Sequence, residues 1–74
     1  MKSKTALGEF LRLQIEAKNI DKKELARKAG IQPGTLSKIL SGGIKKPPRN
    51  RLEAFAEVLK IKTRVLVSLS EIQQ

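Results

Sequence analysis

The apolar residues of this chain recur at three- and four-residue spacing in short stretches, broken by Gly, Pro, Asn and Lys. That is the period of helices with one buried face. The first stripe is Leu7, Phe10, Leu11 and Ile15, with Gln14 and Lys18 on the same spacing. Ser3 or Thr5 can cap this helix, which should end near Ala17 or Lys18. Leu13 falls off the centre of the stripe and is expected to be partly exposed. Asn19 suits a left-handed C-terminal cap, with Ile20 packing across the turn. Asp21 is a good N-cap for a second helix over 22–29, and Glu24 three residues on gives an acidic variant of the capping box. Leu25, Ala26 and Ala29 form its apolar side. Gly30 stands where the helix would end in the left-handed region that penalises a Cβ. Ile31 follows as a buried plug. A third helix over 33–41 can use Gln32 as its cap and Pro33 in its first turn, where a missing N–H costs nothing. Leu36, Ile39 and Leu40 make its core face, leaving Gly34, Ser37, Lys38 and Ser41 on the other.

Ser41, Gly42 and Gly43 stop that helix. Ile44, Lys45, Lys46, Pro47 and Pro48 then predict an extended basic loop with Ile44 as its anchor. A fourth helix starts near Pro48 or Arg49. Leu52, Phe55, Ala56 and Leu59 would be buried, while Glu53 and Glu57 point outward. From Thr63 to about Ser70 the pattern is ambiguous. Val65, Leu66, Val67 and Leu69 cannot share one helical stripe, and Val65, Val67 and Leu69 also alternate as a strand would. On a helical reading Val67 is the surplus apolar residue on the far face, available to a second subunit.

Ala26, Gly30, Ile31, Leu36 and Ile39 in this spacing resemble the helix-turn-helix of phage repressor and Cro-type DNA-binding domains, the xenobiotic-response-element family. A small Ala26 permits a close crossing, Gly30 makes the bend and the apolar trio locks the pair onto a core. LGEFLRLQIEAKNI is similar to the family's first helix, and KKPPRNRLEAFAEVLKI to its fourth helix and the approach to it. The resemblance implies an all-α fold, a compact lambda-repressor-like bundle of about five short helices around the central motif. Ile61, Leu66 and Leu69 would close it through a fifth helix. Residues 1–74 are then one DNA-binding domain with a frayed arm at 1–4 and a frayed tail at 71–74. Lys60 stands where many members end the fourth helix with Gly.

Charge adds a direction. Sixteen Lys and Arg against seven acids give +9, and the isoelectric point is near 10.4. Segments 21–44 and 45–51 carry +3 and +4, whereas 52–74 is neutral. The excess over the motif and the loop after it is a footprint for a polyanion. Without His or Cys the chain can build no imidazole base, thiolate nucleophile or zinc site, so an enzyme or metalloprotein is not expected. Gly42-Gly43 is no nucleotide-binding loop, since no Gly-Lys-Ser/Thr follows. No cofactor or small-molecule site is evident. No apolar run exceeds three residues, far short of a membrane span or signal core, and the absence of Cys suits a cytoplasmic protein. The two aromatics, Phe10 and Phe55, sit at core positions, which favours duplex DNA over single strands read by ring stacking.

What the resemblance implies can be placed residue by residue. The helix 33–41 would enter the major groove, with base contacts from Gln32, Pro33, Gly34, Ser37 and Lys38. Phosphate contacts would fall to Lys22, Lys23, Thr35, Ser41, Lys45, Lys46 and Arg49, with Arg51 lining the same loop. Lys18, Lys28 and Lys60 read as solvated charges. Family members usually carry Gln at the position of Lys22, and often amide side chains where Pro33 and Gly34 stand. That pair has no side-chain donor, which leaves DNA shape or methyl contacts to supply part of any specificity. The implied function is a prokaryotic or phage transcriptional regulator, most often a repressor, sometimes the antitoxin of a toxin pair. It would act as a homodimer through Leu66, Val67 and Leu69. A basic protein-interaction module on the same bundle remains the alternative.

Overall fold

The computed structural model describes residues 5–72, and it bears out the all-helical expectation. Five helices follow in order: α1 (Ala6–Ala17), α2 (Lys22–Ala29), α3 (Pro33–Ser41), α4 (Arg49–Leu59) and α5 (Thr63–Ser70). Among the described residues there is no strand, so the alternating reading of 63–70 is set aside. The expected arm at 1–4, Ser3 included, and the last two residues of the expected tail lie outside the described residues. One core gathers Leu7, Leu11, Ile15, Leu25, Leu36, Ile39, Leu52, Phe55, Leu59 and Leu66. The helices enclose it by packing α1 on α3 and α5, α2 on α3 and α4, and α4 on α5. Phe10, Ile20, Ile31, Ile44 and Ile61 seal its margin, each partly buried.

Capping fixes where the helices begin and end. Thr5 accepts the Gly8 N–H at 3.0 Å and opens α1. Asp21 accepts the Lys23 N–H at 3.0 Å and opens α2. The capping box is only half made, because Glu24 turns from the chain start to pair with Arg27 one turn on. A guanidinium fork offers a carboxylate two bonds where the backbone would offer one. Four helices end on a left-handed residue, α3 at Gly42 and three others with an isoleucine next in line. Asn19, Gly30 and Lys60 all adopt positive φ, at 53°, 73° and 59°. Each is followed by an isoleucine whose N–H reaches back five residues: Ile20 to Ile15, Ile31 to Ala26 and Ile61 to Ala56, at 2.9–3.0 Å. This is the Schellman ending, in which the residue after the left-handed one packs back onto its own helix.

The fifth helix corrects one assignment. Leu66 is fully buried, Val67 packs against the core and Val65 is the exposed one, at 38%. The buried arc of α5 runs from Leu66 toward Thr63, Ser70 and Val67, a turn's width that excludes Val65. The surplus apolar residue is therefore Val65, and Leu66 has no surface to offer a second subunit. Leu13 is exposed as expected, at 48%.

Lys60 holds a left-handed conformation that costs a residue with a Cβ about 1 kcal/mol. Its side chain is exposed. Lys60→Gly should therefore stabilise the protein by about 0.5–1 kcal/mol, a rise of roughly 2–8 °C in melting midpoint for a domain this small. A calorimetric midpoint at or below that of the parent would show that Lys60 is held by more than the backbone requirement.

Candidate nucleic-acid interface

Three side chains decide which way α3 faces. Leu36, Ile39 and Leu40 are buried, and their spacing turns Gly34, Lys38 and Ser41 directly outward, with Ser37 beside them. Gln32 and Pro33 are exposed at the helix start, and Thr35 is half-buried on the flank. The five residues expected at base edges are thus all exposed. Gln32 does hold the N-cap position, with φ −72° and ψ 146°, but its side chain makes no capping bond. The expected cap is corrected here: capping favours Ser, Thr, Asp and Asn, whose shorter side chains reach the first N–H groups of the turn. Its amide is left free.

The end of α3 is tied down through one carbonyl. The Lys38 C=O accepts the Gly43 N–H at 2.7 Å, the Ile44 N–H at 3.1 Å and the Ser41 hydroxyl at 3.3 Å. With Ile44 packed on the core and Pro47 buried, the loop is anchored to the last turn of α3. Lys45 and Lys46 project from it into solvent. Lys22 and Lys23 are exposed in the first turn of α2, and Arg49 is exposed in the first turn of α4. Arg49 pairs with Glu53 at 3.4 Å, a surface pair worth little.

Two cations have other tasks than the sequence suggests. Arg51 belongs to the basic stretch 45–51, yet its Nη1 donates to the carbonyls of Ala29 at 3.1 Å and Gly30 at 3.2 Å. These carbonyls end α2 with no partner inside the helix, and a cation suits them both as donor and against the helix dipole. Arg51 is a brace on the turn of the motif. Lys18 is likewise no freely solvated charge, since its Nζ donates to the Leu59 carbonyl at the end of α4. Neither role leaves a local signal, because the partners lie 22 and 41 residues away. Elsewhere, Arg12 bridges Glu9 at 2.8 Å and Glu16 at 2.6 Å along α1. The hydrogen bond to Glu9 contributes most to raising its already high pKa.

A shallow groove between α2 and α4, lined by Lys28, Ala54, Glu57, Val58 and Lys60, includes none of the α3 residues. Among the described residues, no cluster of three or more His, Cys, Asp or Glu could hold a metal, and no helix is long and apolar enough to cross a membrane.

Two short helices meeting at a left-handed glycine, set in an all-helical core with the second helix open to solvent, define a helix-turn-helix protein. A family model described as helix-turn-helix matches residues 11–66, most of the sequence, and the chain belongs to that Cro/C1-type family. Among solved structures it is similar to SinR, the master regulator for biofilm formation, in a crystal structure of its complex with DNA. The TM-score is 0.75 at 28% identity, over 82% of this chain and 97% of that one. No curated protein matches the sequence significantly.

The brace is separable from the charged loop. Arg51→Ala should cost about 1–2 kcal/mol, because it leaves two carbonyls at the motif turn without their charged donor. Lys45→Ala should change stability by less than about 0.5 kcal/mol. Urea unfolding of both variants measures this, and equal midpoints would mean that Arg51 does not hold the turn in solution.

Proposed function

We propose that this protein is a DNA-binding transcription regulator that inserts α3 into the major groove of duplex DNA, acting as a repressor. The observation that carries this reading is the outward face of α3. It is a helix fixed by its apolar side, with Gly34, Ser37, Ser41 and a single long side chain, Lys38, on the other, and exposed lysines precede and follow it. The structural likeness to SinR, whose complex with DNA has been crystallised, supports it. Gln32, Ser37 and Lys38 would address base edges. Lys22, Lys23, Thr35, Ser41, Lys45, Lys46 and Arg49 would meet phosphates, with α2 crossing the backbone. Arg51 leaves the phosphate set because it is committed to the turn. A pair of half-sites bound by two copies belongs to the same reading. Among the described residues the large apolar side chains exposed to join them are Leu13, Val65 and Ile72.

The charge count fixes the expected salt response. Lys22, Lys23, Lys45, Lys46 and Arg49 offer about five phosphate neutralisations, so log K against log salt should slope at roughly −4.5. Binding measured on duplexes at a series of salt concentrations checks this. A slope flatter than about −2 would separate the basic loop from DNA, and equal binding to an acidic protein without preference for duplex would favour an interaction module instead.

Lys38 and the loop lysines should differ in kind. Lys38 stands on the outward line of α3, one turn beyond Gly34, within reach of the guanine O6 and N7 acceptors. Lys38→Ala should reduce discrimination between the preferred site and random duplex by about 1–3 kcal/mol. Lys45→Ala combined with Lys46→Ala should weaken both duplexes alike and flatten the salt slope by about 2. Titrating both duplexes at two salt concentrations decides between them. An unchanged specificity ratio for Lys38→Ala would assign that lysine to the backbone.

A further inference from the structure

Gly34 is a glycine the fold does not require. It lies in the first turn of α3 with no left-handed φ, and a Cβ built there would meet nothing within 4 Å. Gly30, by contrast, has φ +73° and the Arg51 guanidinium 3.4 Å from where its Cβ would be. A helix is less stable with glycine than with alanine, so at position 34 the protein forgoes stability for nothing inside itself. Beside it Pro33 exposes only ring carbons and has no N–H. The surface at the start of α3 is therefore lower by one methyl at position 34 than any other residue would make it, with the Pro33 ring beside it.

Resting on the reading of α3 as a major-groove helix, we propose that Pro33 and Gly34 form a close-approach site for the C5 methyl of a thymine. Of the groups that base edges present in that groove, the methyl alone is apolar. An acceptor or amino group pressed against Pro33 would lose its water without gaining a partner, which disfavours the other bases there. The missing Cβ lets the backbone of α3 come near enough for van der Waals contact. Methyl contact then discriminates at a position where the protein has no side chain to form hydrogen bonds. The ligand is an A·T pair with its thymine methyl facing residues 33 and 34.

The test starts from the duplex that the parent protein prefers in a random pool. Each thymine of that site is replaced in turn by uracil, which removes the methyl and keeps every hydrogen-bonding group. At one position per half-site the parent should bind about fourfold more weakly, the worth of one buried methyl. Gly34→Ala should melt at or above the parent's midpoint, bind the preferred duplex at least about tenfold more weakly, and no longer distinguish thymine from uracil at that position. The proposal is overturned if no single uracil weakens the parent beyond twofold, or if Gly34→Ala binds like the parent. If the parent itself selects no duplex, the reading of α3 as a DNA helix fails first, and this outcome is distinct from the other two. Because the uracil series uses only the parent protein, it stands even if a variant folds poorly.

Discussion

Everything about the exposed helix depends on how α2 is allowed to stop. A helix of eight residues ends with carbonyls that have no partner of their own. Gly30 resolves part of this by turning left-handed, so that the Ile31 N–H caps the Ala26 carbonyl at 2.9 Å. Ala26, fully buried and without bulk, lets α3 cross close to that point. The carbonyls of Ala29 and Gly30 are then met from outside the motif by Arg51 of α4. The turn is thus held by backbone geometry, by a small side chain and by a charged donor from a different helix. If any one is removed, the angle between α2 and α3 loses a constraint that the others do not replace.

The same economy governs α3 itself. It has no side-chain cap at its start and a glycine in its first turn, and three apolar residues hold it to the core. Its position comes from its two ends, the Gly30–Ile31 bend before it and the Lys38 carbonyl that gathers residues 41, 43 and 44 after it. A helix secured in this way needs little from its outward residues. Apart from the Ser41 hydroxyl on the Lys38 carbonyl they are free of structural duty, which is the physical condition for a surface shaped by what it binds. In α1 and α4, by comparison, outward residues are engaged in Arg12 and Arg49 ion pairs.

Most of the fold could be read in the sequence because its rules are local. The three-and-four spacing located the stripes of α1 through α4, and Asn19, Gly30 and Asp21 marked ends that the structure reproduces. Local rules failed where two of them competed. Glu24 could complete a capping box or pair with Arg27, and the bidentate pair prevailed. In α5 the spacing allowed either flank of Leu66 to face inward, and packing against the core turned Val67 in and Val65 out. Arg51 and Lys18 illustrate the deeper limit. Their partners are backbone carbonyls, identical in every residue, so no pattern of side-chain types could single them out. The open face of α3 was legible, since burying Leu36, Ile39 and Leu40 determines what is left outside.

The division of labour between arginine and lysine explains why net charge alone locates the interface so coarsely. Four of the five arginines, Arg12, Arg27, Arg49 and Arg51, each have an intramolecular acceptor, and the fifth, Arg64, is exposed on α5. The planar guanidinium with its several donors is suited to such fixed pairing. Lysines 22, 23, 38, 45 and 46 are exposed and hold none of the bonds that engage the arginines. Lys18, which donates to the Leu59 carbonyl, is the exception. A flexible ammonium is otherwise a good point charge for a phosphate, since it adjusts its reach and keeps its water until contact. Discounting Arg27 and Arg51, and keeping Arg49 whose surface pair is weak, therefore sharpens the footprint. What remains of the positive charge from residue 21 to residue 46 is carried by lysines at the start of α2, the middle of α3 and the loop bound to the end of α3, together with the solvated Lys28. The charge that matters is the part not already used to hold the fold.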